Sequence, residues 1–308
     1  MIDKINNILQ SEVNNPTRVG KFNRQHIFFD LKSLIKTNAT DEEIIDLYYC
    51  FSLYEKCLNL SRENSLNLAY YWIGKIEDIH KLISDDILPY LQILYKPTVA
   101  FYYFKRNEFE KTLNLLEEEI ENVDIILSDQ DSLSIEFKME QLVNKYRVLF
   151  AQKKFSDAFT YAKKIIRFVL MNENFNDIPN GSIHLIKDET NKNYYNWVNF
   201  ILNNLISKVI NEPILSEKEK ENALMYIFND VNTNDNESIN LNYSLFAIQH
   251  INDNKKFYEY SVKAFEQIYK LPIFVQYVLI LKIMKENDAY DNLYENYIQN
   301  NLKLKILN

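Results

Sequence analysis

Glycine is nearly missing, with three in 308 residues. Tight β-hairpin turns and phosphate-cradling loops need glycine for positive φ and close backbone approach, so its scarcity argues against a sheet-built fold and a nucleotide-binding loop. Cysteine is scarce too. Cys50 and Cys57 lie on one helical stretch, about 10 Å apart along its axis, which is too far for a disulfide. Two apolar-flanked thiols fit a reduced core and a cytoplasmic protein. A basic excess is also lacking. The net charge is −8 and the pI about 5.2, which argues against nucleic-acid binding through a broadly basic surface. The local run Arg18, Lys21, Arg24, Lys32 and Lys36 reads as a solvated face. Long apolar runs are absent. The N-terminal stretch carries no apolar core of leader length. The longest run, Ile273 to Met284, is broken by Gln276 and Lys282 and is too short to span a bilayer. The expectation there is a buried helix and no membrane.

What is present points one way. Hydrophobic residues make up 47% of the chain, with 22 Tyr and 19 Phe, enough to build a substantial core. Helical periodicity covers nearly everything. It predicts helices over 2–13, 22–36, 41–59, 62–83, 88–106, 108–127, 134–152, 155–171, 189–210, 217–229, 237–252, 255–270, 272–286 and 288–305. Thr40 with Glu43 and Ser216 with Glu219 match the capping box, and Pro272 suits a first helical turn. Connections are mostly short, which makes neighbouring helices antiparallel hairpins. The exception is 172–188, with Pro179 and Gly181. The predicted organisation is a helical block over 1–85, hairpins over 86–172, a loop or hinge over 173–188 and further hairpins over 189–308. The first block is expected to pack against or cap the rest.

Four turns repeat a pattern of polar residues, an aromatic, then a small or apolar residue three positions on. They lead into Phe109 with Thr112, Phe155 with Ala158, Phe257 with Tyr260, and Tyr290 with Leu293. Phe257 and Tyr290 are 33 positions apart, close to a tetratricopeptide period of about 34. The pattern resembles a degenerate tetratricopeptide (TPR) array over 88–171 and 240–305. Phe155 and Ala158 fit best, and Ala100 and Tyr103 suit the preceding helix of the first unit. Thr112, Tyr260 and Leu293 replace the family's small residue, and no unit has its turn glycine. The resemblance implies an all-α protein, an α-α superhelix of antiparallel hairpins.

No catalytic or metal-binding pattern in the sequence is complete. Glu77-x-x-His80 has the spacing used in di-iron bundles, but a second copy is required and none exists, so a surface ion pair is expected. His26, His184 and His250 are dispersed. Asp230-Val-Asn232 and Asp129-Gln-Asp131 begin like calcium loops, yet Asp235 and Ser134 stand where the sharp turn needs glycine. Glu117, Glu118, Glu119 and Glu121 read as a solvated helix face. No cofactor, no metal and no enzyme activity are expected; an enzyme with an unrecognised helical site ranks last.

Asparagine remains. Asn193, Asn196, Asn199 and Asn203 recur at helical spacing opposite Tyr195, Val198, Leu202 and Leu205. An amide donates to one peptide group and accepts from another, so a row of them can hold an extended ligand by its backbone. The TPR resemblance implies a second pair, Asn144 and Arg147, on a concave face. The bland alternative is an ordinary wet helix side, and Trp197 and Tyr194 read as core. These features predict a non-catalytic module that binds a peptide or protein partner in a groove. The second reading is a signalling regulator similar to peptide-pheromone receptors, whose N-terminal helices engage an effector.

Overall fold

The computed structural model describes residues 1–15, 25–127, 131–173, 178, 193–232, 239–287 and 290–303. These contain fourteen α-helices and no extended strand. They are α1 (Ile2–Asn14), α2 (Gln25–Asn38), α3 (Asp41–Arg62), α4 (Leu66–His80), α5 (Leu88–Lys105), α6 (Phe109–Ile126) and α7 (Asp131–Ala151). There follow α8 (Phe155–Met171), α9 (Asn193–Ile210), α10 (Glu217–Phe228), α11 (Ile239–Gln249), α12 (Asn254–Phe265), α13 (Ile273–Met284) and α14 (Asp291–Asn296), which runs into a π-helical turn, Tyr297–Leu302. Each predicted helix has a counterpart. Arg18, Lys21, Arg24 and most of the 173–188 segment, including Pro179, Gly181 and His184, lie outside the described residues, as do the side chains of His26, Asn193 and Tyr195.

Local chemistry explains the helix ends. Both capping boxes form: Thr40 and Ser216 accept from the backbone N–H of Glu43 and Glu219, whose carboxylates return to the cap N–H. The missing turn glycines have substitutes. Asn64, Asn107, Lys153 and Asn172 take left-handed φ values between 56° and 63° where helices end. Asparagine tolerates that region because its short amide bonds locally, so part of the asparagine abundance serves the turns.

The chain divides into two compact units. One comprises Asn23–Phe155 with Asn176–Ile186, and the other Met1–Phe22, Ser156–Phe175 and Lys187–Asn308. The sequence blocks are redistributed accordingly. In the second unit α1 packs against α12, α14 and the π turn, at the far end of the chain, so block 1–85 is shared between units. The α7–α8 hairpin pattern falls across the same boundary. In the α2–α7 unit, α5, α6 and α7 pack in sequence, with Ala100, Leu116 and Val148 at their common centre and Phe104 and Phe109 against it.

Residues 133–143 of α7 are buried without interruption, which brings charged groups inside. Lys138 pairs with Asp124 of α6, and Lys145 with Glu117 at 3.1 Å. The glutamate run is therefore not wholly a solvated face. Glu119 shares the inward stripe of Thr112, Leu116, Ile120 and Val123 and is fully buried, because a run from 117 to 121 goes more than once around a helix.

Candidate interaction surface

The asparagine row occupies α9 as predicted, with Val198, Leu202 and Leu205 buried opposite and Trp197 and Tyr194 in the core. Asn196, Asn199 and Asn203 are half-buried. Asn203 has a structural partner: its Oδ1 accepts the backbone N–H of Phe274 at 2.9 Å. Phe274 is the second residue of α13, one of the leading N–H groups that a helix cannot satisfy itself. Pro272 at the cap position offers no side-chain acceptor, so Asn203 caps α13 from another helix. Asn144 and Arg147 are also engaged. Arg147 donates to Asn144 Oδ1 at 2.6 Å, and Asn144 donates to Gln141 Oε1 at 3.1 Å. The candidate residues are split between the units: Asn144 and Arg147 belong to one, and Asn193, Asn196, Asn199 and Asn203 to the other.

Glu77 and His80 do not form the expected surface ion pair. His80 is buried among α3, α4 and α5, with its Nε2 2.6 Å from the Tyr54 hydroxyl and its Nδ1 3.5 Å from Gln92 Nε2. Glu77 instead accepts from the Tyr95 hydroxyl at 3.0 Å. One arrangement satisfies the imidazole: Gln92 donates to Nδ1, and Nε2–H donates to the Tyr54 hydroxyl. Burial pushes His80 down to about 4 and the Cys50 and Cys57 thiols up to about 11. Near neutral pH the imidazole carries no charge and neither thiol is a thiolate. The cluster is a satisfied polar core, and it leaves no reactive nucleophile.

The surface of the same unit differs. On α3, Ile45, Tyr48, Tyr49, Ser52, Lys56 and Asn59 share one exposed face, opposite Cys50, Leu53, Tyr54 and Cys57. Ile45 is 74% exposed, and Tyr48 and Tyr49 about half. On α4, Leu68, Tyr71, Lys75 and Leu82, just beyond the helix, follow one another at spacings of three, four and seven; Leu82 is 82% exposed. Lysines join the helices into one face. Lys32 and Lys36 of α2 lie over Phe51 and Tyr48 of α3, 4.9 and 4.4 Å from the ring centroids. Lys56 of α3 lies 3.5 Å over Trp72 of α4, and Lys75 lies 5.7 Å from Tyr71. Lys32 over Phe51 and Lys36 over Tyr48 run α2 and α3 in opposite directions, and α4 packs directly on α3. Sequence reasoning missed this surface, although a signal existed. Residues 44–54, IIDLYYCFSLY, are apolar around most of the helix, and only part of that circumference is covered.

A cleft in the other unit is self-contained. Its floor is Ile210, Leu224, Ile251, Val278 and Leu281. Its rim is closed by Lys285 with Glu217 and Glu221, Lys220 with Glu217, and Lys282 with Glu286, all at 3.0–3.5 Å.

Among the described residues no group of His, Cys, Asp and Glu could hold a metal ion, and no helix is long and apolar enough to cross a membrane. Comparison with protein-family models, with curated proteins and with solved structures finds no match.

Proposed function

We propose that the chain is a non-catalytic helical module that binds a peptide or protein segment, with the outer face of α2–α4 as its principal docking surface. The observation that carries this reading is the group Ile45, Tyr48, Tyr49, Tyr71 and Leu82, all about half exposed or more on one helical layer. Apolar surface of this kind on a folded unit is costly to leave in water and marks interaction sites, where tyrosine is among the strongest contributors. TPR-like stacking is proposed for α5–α7, whose sequential packing around Ala100 and Phe109 supports it. Asn196 and Asn199 are retained as secondary candidates for holding a peptide backbone. The pheromone-receptor-like reading gains one supporting observation, since the exposed face belongs to early helices, where that reading places the effector contact.

The test is a peptide-display selection on wild type, on Ile45→Ser with Tyr49→Ser, and on Asn196→Ala with Asn199→Ala. The expected result is a peptide family recovered by wild type and lost by the first variant while its melting temperature holds. Equal recovery by wild type and the first variant would remove α2–α4 from the function.

A further inference from the structure

We propose that the α2–α4 face takes an acidic amphipathic helix from a protein partner, its carboxylates on Lys32, Lys36, Lys56 and Lys75 and its apolar side chains among Ile45, Tyr48, Tyr49 and Tyr71. This rests on the reading of that face as a docking surface. The four lysines share one arrangement. Lys81, Lys96, Lys111, Lys138 and Lys145 in the same unit each pair with a carboxylate. Lys32, Lys36, Lys56 and Lys75 pair with none among the described residues, and their ammonium groups rest on aromatic rings instead. An ammonium on a ring face is attracted to the π-system but keeps its N–H donors for another acceptor. Its side chain is already ordered, so an arriving carboxylate meets a positioned cation.

The layout favours a helix. Lys32 and Lys36 stand one turn apart on α2 against Phe51 and Tyr48, Lys56 continues the exposed α3 face of Ile45, Tyr48 and Tyr49 toward its C-terminal end, and Lys75 stands one turn from Tyr71 on α4. An amphipathic helix on this layer sets an apolar stripe on Ile45, Tyr48 and Tyr49 and carboxylates on the lysines beside and beyond them. Single-stranded nucleic acid also combines negative charge with stacking bases. It fits less well, because exposed Asp46, Glu55 and Asp78 lie on the same helices and repel a uniformly charged backbone. Ile45, Leu68 and Leu82 are aliphatic and give bases no ring to stack on.

The test measures binding of three labelled probes to the full chain by fluorescence anisotropy: a synthetic helix with Leu and Phe on one face flanked by Glu, its counterpart with Gln for Glu, and oligothymidylate. The acidic helix should bind about tenfold tighter than the Gln helix, and that gap should close in about 1 M salt. The gap should also close in a variant with all four lysines changed to Gln, and persist when all four become Arg, which keeps charge and ring stacking. Melting temperatures of both variants identify any loss of fold. If both helices bind equally and Ile45→Ser with Tyr49→Ser abolishes both, the docking surface stands and the acidic partner falls. Failure of the acidic helix to bind, or tighter binding of oligothymidylate, overturns the proposal. So does a dimer, seen by sedimentation, that Ile45→Ser with Tyr49→Ser dissolves, because the face then belongs to a second copy.

Discussion

Asn203 on α9 accepts the N–H of Phe274, 71 positions away in the first turn of α13, at 2.9 Å. A residue placed by spacing among ligand-binding amides therefore serves as the cap of another helix. Asn203→Ala should cost about 0.5–2 kcal/mol, the usual loss on removing a cap. Asn203→Asp should retain most of the stability, since a carboxylate accepts the same bond and favours a helix N-terminus. Asn199→Ala, where no such bond is made to a helix end, should be neutral or slightly stabilising because Ala is the better helix former. Urea denaturation of the three variants checks this, and equal midpoints for Asn203→Ala and Asn199→Ala would refute the capping role.

Two buried groups give stability opposite pH slopes. His80 is held down to about 4 by burial, from an ordinary 6.5. Its unfolded form binds a proton first, so its contribution is present above about 6.5 and lost as pH falls toward about 4. Glu119 is fully buried with neither carboxylate oxygen hydrogen-bonded, and burial raises it well above its ordinary range, with Lys96 opposing. The folded chain then holds a proton that the unfolded chain releases, so stability falls as pH rises above 4.5. Glu119→Leu should stabilise the protein at pH 7 by about 1–3 kcal/mol, the cost of an unsatisfied buried polar group. His80→Gln should flatten the loss between pH 6.5 and 4 while lowering the melting temperature at pH 7, because Tyr54 loses its partner. Melting curves against pH for wild type and the two variants separate the contributions; a wild-type slope unchanged in both would rule out these assignments.

Lys153 sits in the left-handed region at φ 59° in the turn between α7 and α8. A side chain there costs about 1–2 kcal/mol, which glycine avoids. Lys153→Gly should therefore raise stability by roughly 0.5–1 kcal/mol after glycine's larger unfolded-state entropy is set against it. Asn107→Ala, at φ 60° between α5 and α6, should lower it by about 1 kcal/mol, since alanine lacks the amide that eases this conformation. Chemical denaturation reads both, and a destabilised Lys153→Gly would show that the lysine makes compensating contacts.

The helices and their order were legible in the sequence, because the signals are local. A 3.6-residue period, Thr40 with Glu43, Ser216 with Glu219 and an aromatic at the start of α6 and α8 act within a few residues of where they stand. Their outcome does not depend on what packs nearby. The scarcity of glycine was likewise enough to argue against a sheet, and the turns then recruited Asn64 and Asn107.

Which side of a helix meets water depended on the tertiary structure. Spacing puts Glu119 and Glu117 on different sides of α6, but only the neighbouring α5 and α7 decide that Glu119 is enclosed and Glu117 reaches Lys145. His80 became a core residue because Tyr54 and Gln92 arrive from α3 and α5. Asn203 became a cap because α13 begins beside it. The IIDLYYCFSLY stretch is apolar on more sides than its neighbours cover, and the sequence cannot say which side is left open. Burial is a property of the whole assembly of helices, whereas periodicity belongs to one helix alone.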